Sequence, residues 1–281
     1  MRVLVTGTSG QLGHDVVKRL KELNIECIGV SSRDFDIIDL AAVEKYIMDY
    51  LPDAVIHCAA YTAVDKAEEE EDKCRIINVI GTENIAKVCK KITAKMVYIS
   101  TDYVFPGTGE QFYEVDDEKG PCNVYGRTKL EGELAVQNIL KEYFIVRISW
   151  VFGSNGSNFV KTMLRLGQEK RELNVVNDQI GSPTYTVDLA ILLCDMIQTE
   201  KYGLYHVTNE GICSWAEFAA EIFKQSGLKV KVKGIPTKEY KTKAVRPLNS
   251  RLSKNKLVEA GFSKLPEWND ALKRYLKELE R

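Results

Sequence analysis

Short β-branched runs alternate with longer stretches of helical period through the first half of the chain, and nothing else in the sequence constrains the fold as tightly. Strand-like runs at residues 3–5, 26–30 and 54–57 are separated by amphipathic stretches at 11–23 and 41–51. A helical segment near 77–89, a strand at 95–100, a helix from about 125 to 140 and a strand at 144–148 continue the rhythm. Strands separated by whole helices cannot pair as hairpins, so they return side by side and parallel, with helices on both faces. The pattern predicts an α/β fold with a doubly wound parallel sheet, for which about six strands can be counted.

After Trp150 the rhythm breaks into Gly- and Asn-rich loops, helices near 159–167 and 187–198, and a basic stretch over 229–251. The apolar segments at 189–197 and 204–207 are expected to return to the sheet and its helical cover. The expected division is therefore discontinuous: residues 1–150 with about 185–207 in one domain, 151–184 and 208–281 in a smaller C-terminal substrate-binding lobe. At 281 residues and 44% hydrophobic, the chain can bury a sizeable core. Its 39 basic and 40 acidic residues leave a net charge of -1, so no global field gathers nucleic acid or an anionic membrane. Seven dispersed cysteines, an odd number with no C-x-x-C spacing, argue against a disulfide framework and a zinc site. Three separated histidines add no metal ligand set, and none is assigned. No leader-like segment opens the chain, and the apolar run at 190–194 is too short for the ~20 residues that span a bilayer. The expectation is a cytoplasmic protein with no nucleic-acid or membrane partner.

Gly7-Thr8-Ser9-Gly10-Gln11-Leu12-Gly13 follows the first strand and opens the first helix. Glycines there allow a tight turn, close approach of backbone to a pyrophosphate, and close packing of helix on sheet, while the helix N-terminus offers unpaired N–H groups. This makes the fold Rossmann-like and residues 1–150 a dinucleotide-binding domain. About 20 positions on, an NAD site would carry an acid for the ribose hydroxyls. Here Ser31-Ser32-Arg33 ends the second strand, a set suited to a 2'-phosphate; NADPH is favoured, while Asp34, Asp36 and Asp39 keep NADH open.

Tyr125 and Lys129 stand four apart, on one face of a helix. An ammonium beside a phenol is expected to lower its pKa from ~10, readying it to protonate a carbonyl oxygen as hydride reaches the carbon. Ser100 and Thr101 end a strand, and carboxyl ends of parallel strands face the ligand crevice, so both hydroxyls are expected to point at the tyrosine.

Together with Ala59-Ala60-Tyr61-Thr62-Ala63-Val64-Asp65, Ser100-Thr101-Asp102-Tyr103-Val104-Phe105 and Arg147-Ile148-Ser149-Trp150-Val151-Phe152-Gly153, these motifs resemble the extended short-chain dehydrogenases, and within them the reductases of nucleotide-linked keto sugars, nearly end to end. The resemblance implies Thr101, Tyr125 and Lys129 as catalytic residues, with Thr101 holding the keto oxygen and Tyr125 donating the proton. It implies that Gly10, Gln11 and Leu12 meet the pyrophosphate, Asp39 and Leu40 the adenine end, and Ala59, Ala60, Tyr61 and Thr62 the nicotinamide side, with Tyr125 and Lys129 also at the cofactor. Asn78 would position active-site backbone. Tyr103, Val104 and Trp150 would line the sugar pocket, and Arg246 would neutralise a diphosphate or stand as one cation of a basic loop. The implied substrate is a nucleotide-activated 4-keto-6-deoxy sugar, dTDP-4-dehydro-L-rhamnose reduced to dTDP-L-rhamnose; a homodimer is compatible with it. Two other readings stay open. One is a non-catalytic NAD(P)-binding regulatory subunit resembling the methionine adenosyltransferase β subunit, and the other a sugar-nucleotide epimerase or dehydratase. Against the dehydratases, Thr101 is followed by Asp102-Tyr103 and not by an Asp-Glu pair.

Overall fold

A computed structural model describes residues 1–280. The first half runs β1 (Arg2–Thr6), α1 (Gln11–Glu22), β2 (Glu26–Val30), α2 (Leu40–Tyr50), β3 (Ala54–His57), α3 (Val64–Ala67), α4 (Glu71–Arg75), a π-helical stretch at Ile76–Gly81, α5 (Thr82–Ile92), β4 (Lys95–Thr101), α6 (Val124–Ile139) and β5 (Tyr143–Ile148). The second half runs β6 (Val151–Phe152), α7 (Phe159–Glu169), β7 (Glu172–Val176), β8 (Ile180–Gly181), β9 (Thr184–Tyr185), α8 (Thr186–Met196), β10 (Gly203–His206), β11 (Cys213–Ser214), α9 (Trp215–Gln225), β12 (Lys231–Ile235), β13 (Asn249–Ser250), α10 (Asn255–Glu259) and α11 (Trp268–Leu279).

Six strands pair in the order β10-β5-β4-β3-β1-β2, every pairing parallel. β3 is buried along its whole length, as a strand covered on both faces must be. Val3, Val5, Ile56, Val97, Phe144 and Val146 pack on one face against α1 and α8, while Leu4, Val55, Met96, Tyr98 and Ile145 pack on the other against α2, α5 and α6. The late apolar segments do return: β10 joins β5 at the sheet edge, and α8 packs along α1, where Thr186 donates to Asp15 at 2.5 Å. A third core, formed by Phe152, Tyr185, Phe218, Phe223 and Tyr275, holds α7, α9 and α11 together outside the sheet. Among the described residues no helix is long and apolar enough to cross a membrane.

The chain leaves β1 for β2 on one side and later crosses to β3 on the other, so the strand order reverses between β1 and β3. At such a switch point the loops diverge and open a crevice outside the carboxyl ends of the strands. Here the divergence is tight at its base. Gly7, at φ +72°, packs so closely on Ala59 that a Cβ would lie 2.6 Å from the Ala59 backbone N.

Candidate active site

The crevice at that switch point has a volume of about 660 Å3 and runs from the Gly7–Gly13 turn, past Ala59, Ala60 and Thr62, to Thr101, Tyr125, Lys129 and Trp150. A smaller depression at the opposite ends of the strands, around Arg2, Asp53, Lys95 and Glu142, contains none of these groups.

α1 opens at Gly10, whose missing side chain leaves the helix without a side-chain cap, and Gly10, Gln11, Leu12 and Gly13 all line the crevice. Its first-turn N–H groups thus present an anion cradle. Gly13 is required because a Cβ would meet the Gly7 carbonyl oxygen at 2.5 Å. A loop from the second half closes over the turn: Asn155 Nδ2 donates to the Ser9 and Gly10 carbonyls at 3.0 and 3.2 Å, and Asn158 Nδ2 to Gln11 Oε1 at 2.9 Å. No motif announces this clamp; its trace in the sequence is the Gly/Asn-rich composition of 153–158. The cradle, the length of the crevice and its small-residue floor fit a dinucleotide.

Beyond β2, the lining comes from Ser31, Ser32, Phe35, Asp36 and Ile37. Arg33 is exposed just outside that set and makes no ion pair among the described residues. Asp39 and Leu40 lie outside the lining as well; the Asp39 carboxylate caps α2, accepting from the Ala41 and Ala42 N–H groups at 2.9 and 3.2 Å. Tyr61 turns its ring away from the crevice and donates its hydroxyl to Glu70 at 2.9 Å. Its backbone is clamped by Asn78, which accepts from the Tyr61 N–H at 2.8 Å and donates to the Tyr61 carbonyl at 3.2 Å. Asn78 sits in the π-helical stretch, a distortion common at functional sites, and also donates to Thr128 Oγ1 at 3.0 Å, tying the β3 loop to α6.

Tyr125 and Lys129 occupy the first turns of α6, capped by Asn123, which accepts from the Gly126 N–H at 2.8 Å. The acidic run after α3 is more than a solvated face, because Glu68 accepts from the Val124 N–H at 2.8 Å and fixes the same helix start. Thr101 stands beside the phenol, but its single proton is donated to Asp102 Oδ1 at 2.9 Å. Ser100 also lines the crevice, but its hydroxyl is donated to Glu133, 2.5 Å away, and not to Tyr125. Burial, with the charge of Asp102 acting in the same direction, pushes the Tyr125 phenol above its ordinary range against a lowering by Thr101, so the lowering expected from the lysine is not what sets it. Lys129 is itself buried, which brings its ammonium down to about 7, and its Nζ rests 4.1 Å from the centre of the Tyr98 ring. Asp102, fully buried, is raised to about 6 although Ser250 and Thr101 both donate to it.

On the substrate side, Tyr103 lies edge-on to Tyr125 at 5.5 Å, and Arg246 donates to the Tyr103 hydroxyl at 3.1 Å and to Asp65 at 2.7 Å. Val104 is fully buried against Phe105 and Leu252 and does not line the crevice. Trp150, at φ +50°, is held against Trp215 with ring centres 3.8 Å apart. Asp65, Asp102, Ser250 and Trp215 are contributors that spacing alone could not find.

A parallel sheet with an uncapped glycine turn at its switch point and a Tyr-Lys-Thr cluster at its carboxyl ends defines a dinucleotide-binding α/β protein of the short-chain dehydrogenase kind. The whole chain, residues 1–281, matches the family model described as RmlD substrate binding domain, and it belongs to that family. It is similar to a spore coat polysaccharide biosynthesis protein of Bacillus subtilis, 45% identical over 277 residues that cover 99% of this chain and 97% of the relative. The crystal structure of a dTDP-4-dehydrorhamnose reductase from Clostridium acetobutylicum matches with a TM-score of 0.98 and 44% identity over 100% of both chains. That of a dTDP-4-dehydrorhamnose reductase from Bacillus anthracis, in complex with NADP, matches at 0.96 and 43% over 99% of each.

Proposed function

We propose that the chain is an NAD(P)H-dependent reductase of a nucleotide-activated 4-keto-6-deoxy sugar, dTDP-4-dehydro-L-rhamnose giving dTDP-L-rhamnose, with NADPH the favoured reductant. The observation that carries this reading is the meeting of Tyr125, Lys129 and Thr101 in the crevice that the uncapped end of α1 opens into. A reduced nicotinamide, when bound, supplies the hydride. Tyr125 supplies the proton: its raised phenol is fully protonated near neutrality, so it donates to the keto oxygen as that oxygen gains charge. Lys129, cationic below about 7, steadies the phenolate left behind. Thr101 turns its proton from Asp102 toward the keto oxygen, and Ser250 keeps the Asp102 carboxylate satisfied when it does. Trp150 offers an aromatic face to the apolar side of the sugar. In this reading residues 1–150 and about 185–207 hold the cofactor, while 151–184 and 208–281 hold the sugar nucleotide. Seven free cysteines, four of them buried, fit a cytoplasmic location.

The test is oxidation of NADPH and NADH against a panel of nucleotide-linked 4-keto sugars, with Tyr125→Phe alongside the wild type. Turnover with the dTDP-keto sugar should fall by about 10²-fold or more in the variant, the scale of a lost general acid, while cofactor affinity stays close to wild type. No oxidation across the panel by the wild type, with stable capture of a partner enzyme, would instead favour the regulatory-subunit reading.

A further inference from the structure

α6 carries a third side chain on the stripe that begins with Tyr125 and Lys129. Glu133, one further turn along, is buried, and its carboxylate accepts from Arg147 Nε at 2.8 Å, Arg147 Nη2 at 2.7 Å and Ser100 Oγ at 2.5 Å. Arg147 is equally buried, lies across from Ser100 in the register of β4 and β5, and spends a further donor on the Val115 carbonyl at 2.9 Å. The carboxylate therefore joins α6 to the carboxyl ends of both strands, immediately beside Thr101. The helix approaches closely enough that Tyr98 Oη donates to the Lys129 carbonyl at 3.2 Å.

We propose that Glu133 is a positioning residue for the reaction, docking α6 so that Tyr125 and Lys129 face Thr101 and standing as the buried counter-charge one turn below Lys129. A fork-shaped guanidinium and a hydroxyl leave the carboxylate a single rotameric arrangement, which fixes the rotation of α6 about its axis. The groups around Lys129 explain why a counter-charge is needed. From β3, His57 is held neutral by burial, which lowers it to about 3, and Cys58, just beyond it, is pushed up to about 12. From α4, the Cys74 thiol is raised by burial; from β4, the Tyr98 phenol is raised well above its ordinary range. None of these is an anion near neutrality, so the negative charge opposing the desolvation of Lys129 comes from Glu133, shared with Arg147.

The proposal rests on the reductase reading only for its kinetic readout. The measurement is the titration of the Lys129 side chain by 13Cε-lysine NMR in the full chain, for the wild type and Glu133→Gln. The glutamine keeps the volume and the acceptor for Ser100 but removes the charge, so the Lys129 midpoint should fall by on the order of one pH unit. With the dTDP-keto sugar, kcat should fall along with its basic limb while KM changes little. Because Glu133→Gln leaves a buried unpaired guanidinium that can prevent folding, Glu133→Gln/Arg147→Met removes the pair together and should move the midpoint in the same direction. An unmoved midpoint in whichever variant folds overturns the proposal. A shifted midpoint with no wild-type turnover leaves it standing and overturns the reductase reading instead.

Discussion

Lys129 is a cation that the fold holds at a cost. Burial brings its pKa down to about 7, whereas an unfolded lysine titrates near ~10.4. Between those values the unfolded chain binds a proton that the folded chain lacks, so this residue makes stability rise as pH increases from 7 toward 10; the penalty is complete below 7. Lys129→Met should abolish turnover yet be more stable than wild type at pH 7, with the gap narrowing by pH 9. Urea unfolding at the two pH values checks this, and a constant gap would show that Lys129 titrates at its ordinary pKa in the folded chain. The same residues show where spacing misleads. An i,i+4 pair on a helix is ordinarily a surface pair in which each group acts on the other, but here desolvation dominates both partners.

At the scale of elements, α6 is the part whose placement brings Tyr125 and Lys129 to the crevice. Its approach to β4 depends on Gly132, where a Cβ would lie 2.2 Å from Tyr98 Oη and 2.8 Å from the Asn78 carbonyl oxygen. Gly132→Ala should therefore push the helix off the sheet, costing about 1–3 kcal/mol by overpacking, and should lower kcat more than it weakens cofactor binding. Chemical denaturation and cofactor titration of the same sample separate the two effects; a variant as stable and as active as wild type would mean that the approach tolerates a methyl group. The glycine turn is the opposite case. Gly7, Gly10 and Gly13 are legible in the sequence because each answers to a local demand of turn or packing, whereas the role of Gly132 depends on a phenol 34 positions away in the chain.

At the scale of the molecule, the two halves of the chain meet across the crevice through a few polar ties. Arg246 reaches Tyr103 and Asp65, the Ala244 N–H donates to Asp65 at 3.1 Å, and Asn123 Nδ2 donates to the Val245 carbonyl at 2.8 Å. The strap carrying Arg246 is thus anchored to the sheet's own loops. If it meets the diphosphate of the substrate, Arg246→Ala should raise KM for the sugar nucleotide roughly 10- to 100-fold, the range for a lost charge-assisted bond of about 1.5–3 kcal/mol. Affinity for NADPH should not change, and steady-state kinetics beside fluorescence titration of the cofactor would show it; an equal loss for both ligands removes Arg246 from the substrate site.

The class of fold, the parallel pairing of strands, the glycine turn before α1 and the tyrosine-lysine pair on one helix follow from the sequence alone, because each depends on periodicity or on neighbours within a few residues. The return of 203–206 to the sheet edge is legible for the same reason, as an apolar run that needs a covered place. Tertiary structure alone decided that Arg33 and Asp39 lie outside the crevice lining, that Ser100 turns to Glu133 and not to Tyr125, and that Thr101 gives its proton to Asp102. Those outcomes depend on which face of a strand a side chain takes and on partners such as Ser250, 148 residues from Asp102. Burial works the same way: the state of Lys129 is set by how much water α4, α6 and the β-strands exclude, a quantity that exists only once the chain has closed around it.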